Sequence, residues 1–212
     1  MAIYRGGPNG SFSGKVGSII GSSWRSVDYI KGLSKRNTNR TKRQLLRQRI
    51  LTEISSLLTP LKEVLAVGFC RERAVGKTFL NIAIGYNIKH AIIIGEDDFE
   101  IDYGAITLSK GNLPRTVSFR LESEGNCRYL LGWETDAATA LLSDDDELLL
   151  VAYFPELPLY LVPGEKCRRQ NGSLQIEIPW DLAGRTVHFY AFFASSDNNS
   201  SPSQYLGKYT CA

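Results

Sequence analysis

Three patterns in the 212-residue sequence predict an α+β chain. Gly6, Gly7, Gly10, Gly14, Gly17 and Gly21 punctuate the opening, where they make the backbone conformationally permissive. Leu46, Ile50, Ile54, Leu57, Leu58, Leu61 and Leu65 then recur at helical spacing. From Tyr103 onward, eight short β-branched and aromatic runs are separated by Gly, Pro, Asn, Asp and Ser. The expectation is a glycine-rich N-terminal arm and a basic helical segment over residues 1–100. An antiparallel β-sandwich of immunoglobulin-like texture follows over residues 101–212.

The arm comes first. Phe12, Val16, Ile19, Ile20 and Trp24 are set among Ser and Gly, as in an extended arm or a bulged strand pair. Residues 22–30 read as one short strand. So much Gly and Ser buries too little area to order the segment alone, so its apolar side chains need a partner surface in this chain or a neighbour. A charged loop over residues 35–40 leads to Thr41 and Gln44, which fit a capping box. The helix should run from Thr41 to about Thr59, with Pro60 kinking it or starting another. A second helix is expected over residues 78–94.

Strands are expected at 105–108, 116–121, 129–133, 148–154, 159–162, 174–178, 187–193 and 204–209. The alternation in Thr116–Leu121 and Val187–Phe193 suggests one buried and one solvated face for each. Trp133 sits like a sandwich-core tryptophan.

Charge is the strongest functional signal. Residues 1–50 hold eleven Lys/Arg and one acid, Asp28, whereas the remainder holds fourteen Lys/Arg and twenty-one acids. Such a split suggests a polyanion partner or a second copy docking head to tail. Lys35, Arg36, Arg40, Lys42, Arg43, Arg47 and Arg49 fall within fifteen residues. Those at the start of the helix oppose its macrodipole, at roughly a few tenths of a kcal/mol each. That local cost hints that the charges serve a partner. The bland reading is a solvated face.

Motifs for catalysis are weak. Gly76-Lys77-Thr78 has Arg71 where a P-loop needs glycine, and Lys15 is followed by Val16. Gly10-Ser11-Phe12-Ser13-Gly14 puts Phe where a nucleophile elbow needs Ser. His90 and His188 are the two histidines, and nothing nearby suggests a triad. The acids of 96–102 and 144–147 lack calcium-loop spacing. Cys70, Cys127, Cys167 and Cys211 lie 57, 40 and 44 residues apart, which fits no metal-ligand spacing. No motif calls for a cofactor or metal. No signal peptide or membrane-length apolar run is evident, so a cytoplasmic chain is expected, with export by another route left open.

The segment from Gly10 to Trp24 resembles the opening of a bacterial family carried as a domain of unknown function. So do Gly68-Phe69, Asn81, Asn87, Ile101-Asp102-Tyr103, Leu108-Ser109 with Gly111, and the ending with Ser201, Ser203, Tyr205 and Gly207. The resemblance implies a chain of about this length with no assigned activity, so no catalytic residue carries over. The expected role is a non-enzymatic structural or assembly protein. It would engage neighbouring copies or a partner protein through the arm and basic helix. A nucleic-acid binder using residues 35–49, with Trp24 and Tyr29 stacking on bases, is the alternative. A carbohydrate or peptide binder using sandwich loops near Trp133 and Trp180 is a lesser one.

Overall fold

A computed structural model describes residues 2–3 (backbone only), 12–24, 27–34, 39–72, 76–114, 118–134, 143–164 and 167–211. The chain forms two compact units, Met1–Leu45 and Leu46–Ala212. The change of texture near residue 100 falls inside the second.

In the first unit, β1 (Ala2–Ile3), β2 (Gly14–Val16), β3 (Ile19–Trp24) and β4 (Val27–Gly32) form an antiparallel sheet of order β1-β4-β3-β2. The expected arm is therefore a four-stranded sheet. Val16 pairs with Ile19 across a two-residue turn, where Gly17 takes φ 58° at no Cβ cost. The stretch 22–30 is not one strand: Trp24 pairs with Val27 and Ser22 with Tyr29, so the chain reverses. No Gly or Pro marks the reversal, so the pattern hides the turn.

The helical segment is α1 (Lys42–Leu58), a one-turn 3-10 segment Thr59–Leu61, α2 (Lys62–Gly68) and α3 (Phe79–His90). The capping box forms: Thr41 N–H donates to Gln44 Oε1 at 3.1 Å, and Gln44 N–H to Thr41 Oγ1 at 3.3 Å. Pro60 stands at the first turn of the 3-10 segment, where no N–H is needed. Helix α3 stops at His90, short of the expected Ile94. Three consecutive isoleucines instead make β5 (Ile92–Ile94), which pairs with β6 (Phe99–Ile101). β-Branched side chains favour the pleat over the helix, and the acidic stretch becomes the tip of this hairpin.

The body follows, with β7 (Phe119–Gly125), β8 (Arg128–Trp133), β9 (Glu147–Phe154), β10 (Leu159–Leu161), β11 (Cys167–Arg168), β12 (Ser173–Glu177), β13 (Thr186–Ser195), β14 (Asn199–Ser200) and β15 (Gln204–Thr210). The strand expected at 105–108 is absent. A 3-10 turn over Tyr103–Ala105 takes its start, where Asp102 Oδ1 accepts from Gly104 N–H at 2.9 Å. β12-β8-β7 make a three-stranded sheet. β9 and β13 form the centre of a six-stranded one, with β10 and β11 on β9, and β14 and β15 on β13. Everything in these sheets is antiparallel, so the fold is α+β with a sandwich-like body.

The expectation of one solvated face on Val187–Phe193 is corrected here. Val187, Phe189, Ala191 and Phe193 pack with Leu148, Leu150, Ala152 and Phe154 against Tyr129, Leu131 and Trp133 of the small sheet. Tyr190 and Phe192, with Val151 and Tyr153, pack on Ile54, Leu58, Leu65 and Phe69 of the helical segment. Both faces of the central strands are thus covered. Helices replace solvent on one side, and the polar ends of His188 and Tyr190 mimic a wet face because each finds a hydrogen bond. Beside this core lies a buried ion pair, Arg169 Nε to Asp146 Oδ2 at 3.2 Å, with the guanidinium 3.9 Å from the Phe193 ring centre. Desolvation lowers the Arg169 pKa, and the Asp146 carboxylate opposes that shift.

Candidate functional site

The residues singled out at the opening occupy the four-stranded sheet. Paired residues share a face, so Val16, Ile19 and Ile30 lie on one side, and Ile20, Trp24, Val27 and Tyr29 on the other. Phe12 is half-buried over Gly21, where a Cβ would come within 2.7 Å of its ring. Gly21 is the one buried residue among the described residues of this unit. Ile20 is half-buried, Ile19, Val27 and Leu33 are exposed, Val16 is 60% exposed and Trp24 53%. Apolar side chains therefore face outward on both sides of the sheet.

Lys35 and Arg36 lie outside the described residues. Arg40, Lys42, Arg43 and Arg47 are exposed. Arg49 pairs with Asp98 at 3.2 Å and stands over the Phe99 ring, so this member of the run is engaged within its own chain. No acidic partner is found for Lys42, Arg43 or Arg47 among the described residues, and α1 has no acid in its first turn.

The two histidines, Thr78 and Asp145 each have partners within the chain. His188 is buried, its Nδ1 lies 2.8 Å from the Tyr205 hydroxyl, and its ring stacks on Tyr103 at 4.5 Å. Burial first, and Lys208 second, hold its pKa below the usual 6.5. His90 Nδ1 lies 2.8 Å from the Tyr86 carbonyl, and the two rings stack. Thr78 caps α3, its hydroxyl accepting from Asn81 N–H at 3.2 Å. Asp145 pairs with Arg168 at 2.8 Å.

The motif residues of the middle and end converge on a buried polar knot. Asn87 donates to the carbonyls of Ala83 and Thr107 at 3.0 and 2.9 Å, and accepts from Thr107 N–H at 2.8 Å. Leu108 N–H donates to Ser203 Oγ at 2.9 Å. Ser109 Oγ lies 2.6 Å from the Ser201 carbonyl and 2.9 Å from Ser200 Oγ, itself 3.2 Å from the Gly68 carbonyl. A Cβ on Gly111 would overlap the Ser200 carbonyl, and one on Gly68 the Leu108 carbonyl. Ser109 thus has hydroxyl and carbonyl neighbours and no imidazole among its hydrogen-bond partners. The sequence singled most of these residues out but did not show that they meet, because the contacts between segments span 20 to 132 positions.

Of the two tryptophans near the sandwich loops, Trp133 is core, with Nε1 donating to the Arg169 carbonyl at 2.8 Å. Trp180 is 86% exposed. It follows Pro179 at the lip of an apolar cleft of about 490 Å³ between Leu161 and Val162 on one side and Leu174 and Ile176 on the other. Nothing in the sequence pattern marked this cleft, because it lies between the edges of two sheets. Among the described residues, no helix is long and apolar enough to cross a membrane.

No match is found among curated proteins. Residues 11–207 match a family of unknown function, DUF6266, and the chain belongs to that family.

Proposed function

We propose that this is a non-enzymatic assembly protein that engages neighbouring copies through its N-terminal unit and the basic start of α1. The observation that carries the reading is the outward display of Val16, Ile19, Trp24, Val27 and Leu33 by a sheet with almost no interior of its own. Exposed apolar side chains clustered on a small unit mark a contact surface. The charge split favours a second copy over an unrelated protein, since the chain carries both signs in separate regions. Docking of the apolar residues, including addition of a strand at a sheet edge, would supply the contact area.

Light scattering of the full chain over a range of concentrations tests this. A particle heavier than the 23.6 kDa monomer is expected, reverting to monomer when Val16→Lys and Trp24→Ser are combined or residues 1–30 are removed. A full-length monomer at the highest concentration would overturn the proposal.

One observation favours the second reading, nucleic acid. Lys42, Arg43 and Arg47 present cationic groups without an acidic partner among the described residues. Phosphate binding through them predicts a mobility shift that weakens steeply with salt and is lost on replacing Lys42, Arg43 and Arg47.

A further inference from the structure

We infer that the surface receiving the basic N-terminal unit is the β5–β6 hairpin of a second copy; the inference rests on the assembly reading above. Both partners of such a contact must carry charge that is not already neutralised, and the two acidic clusters of the chain differ in this. In the 144–147 cluster, Asp145 is paired with Arg168 and Asp146 with Arg169. Glu156 and Glu177 are paired with Arg185 and Arg128. At the hairpin, Asp98 is taken by Arg49, but Glu96, Asp97 and Glu100 are exposed with no cationic partner among the described residues.

The same hairpin leaves an isoleucine uncovered on each of its faces. Ile93 is 57% exposed and stands across from Glu100, and Ile94, 65% exposed, stands across from Phe99. Among the described residues neither hairpin edge pairs with a further strand, so backbone groups remain for an added one. Acids beside isoleucines complement the basic start of α1, with Lys42, Arg43 and Arg47, and separately the exposed apolar residues of the opening sheet. A small phosphate or metal would use the charges and leave the isoleucines wet. A protein partner that brings cationic and apolar side chains uses both, and this chain carries exposed groups of each kind.

The test is a charge exchange between two full-length variants. One combines Lys42→Glu, Arg43→Glu and Arg47→Glu; the other combines Glu96→Lys, Asp97→Lys and Glu100→Lys. All six positions are exposed, and circular dichroism checks that both variants fold. Each alone sets like charges against each other, and self-association should weaken by about tenfold or more. An equimolar mixture restores opposite charges at every junction and should recover the mass of the unaltered assembly, less strongly as salt rises. If the hairpin variant assembles like the unaltered chain while the Val16→Lys, Trp24→Ser variant does not, the receiving surface lies elsewhere and only this inference falls. If both charge variants stay monomeric when mixed, the direct pairing falls as well. A monomeric unaltered chain removes the assembly reading together with this one.

Discussion

Asn87 shows what a single buried side chain does in this fold. It is fully buried in α3 and its amide makes three hydrogen bonds, two of them to the backbone of Thr107. Those two bonds stand in for a strand pairing that the 106–108 segment lacks, and they fix it against the helix. Without the amide, the Thr107 N–H and C=O would stay buried and unpaired. An unsatisfied buried group costs about 1–3 kcal/mol, and the vacated volume adds to it. Asn87→Ala should therefore lower unfolding stability by about 2–4 kcal/mol in urea, with an unchanged denaturant slope. A loss below about 1 kcal/mol would mean that Thr107 finds water or another partner. Asn87 stands four positions after Ala83, one helical turn along the buried side of α3, so its burial follows from helical spacing. Its partner, twenty positions away, does not, since nothing local specifies which carbonyl an amide will meet.

Helix α1 separates stability from function at the scale of an element. Its buried stripe of Ile50, Ile54, Leu57 and Leu58 followed from spacing, and its start from the Thr41–Gln44 pair, so both were readable in the sequence. Lys42 and Arg43 lie in the first turn, where the unsatisfied N–H groups carry partial positive charge. They act against the helix that bears them. Lys42→Glu with Arg43→Glu should therefore raise the thermal midpoint, by the equivalent of roughly 0.5–1 kcal/mol. The same pair should weaken self-association. A residue kept for stability moves both quantities the same way, whereas one kept for a partner moves them in opposite directions. Parallel thermal melts and light scattering on one double variant distinguish these outcomes. Losing both midpoint and assembly would place Lys42 and Arg43 in the fold rather than at a contact.

Across the molecule, legibility depended on whether a pattern was local. Turn residues between short apolar runs located six of the strands of the body closely and β7 only over residues 119–121, but hid that β9 and β13 are covered on both faces. Period-2 alternation reports one buried face, and it fails where tyrosine and histidine are buried with their polar ends satisfied, as Tyr190 is by the Tyr103 carbonyl at 2.8 Å. The opening was read as an arm or a strand pair rather than a four-stranded sheet because its apolar residues do not face an interior. That difference between the units has a kinetic consequence. Amides of β9 and β13 lie in strands packed on both sides, so their exchange with solvent requires opening of the whole unit. Amides of β2, β3 and β4 lie in a sheet whose described residues include a single buried position, so local opening suffices. In dilute solution, exchange over residues 14–32 should be faster than over 187–193 by on the order of 100-fold or more. Raising the concentration into the assembled range should slow the first set and leave the second unchanged, because docking covers one and not the other. Equal protection in dilute solution would show that the sheet is stable without a neighbour, which would remove the physical reason for it to seek one.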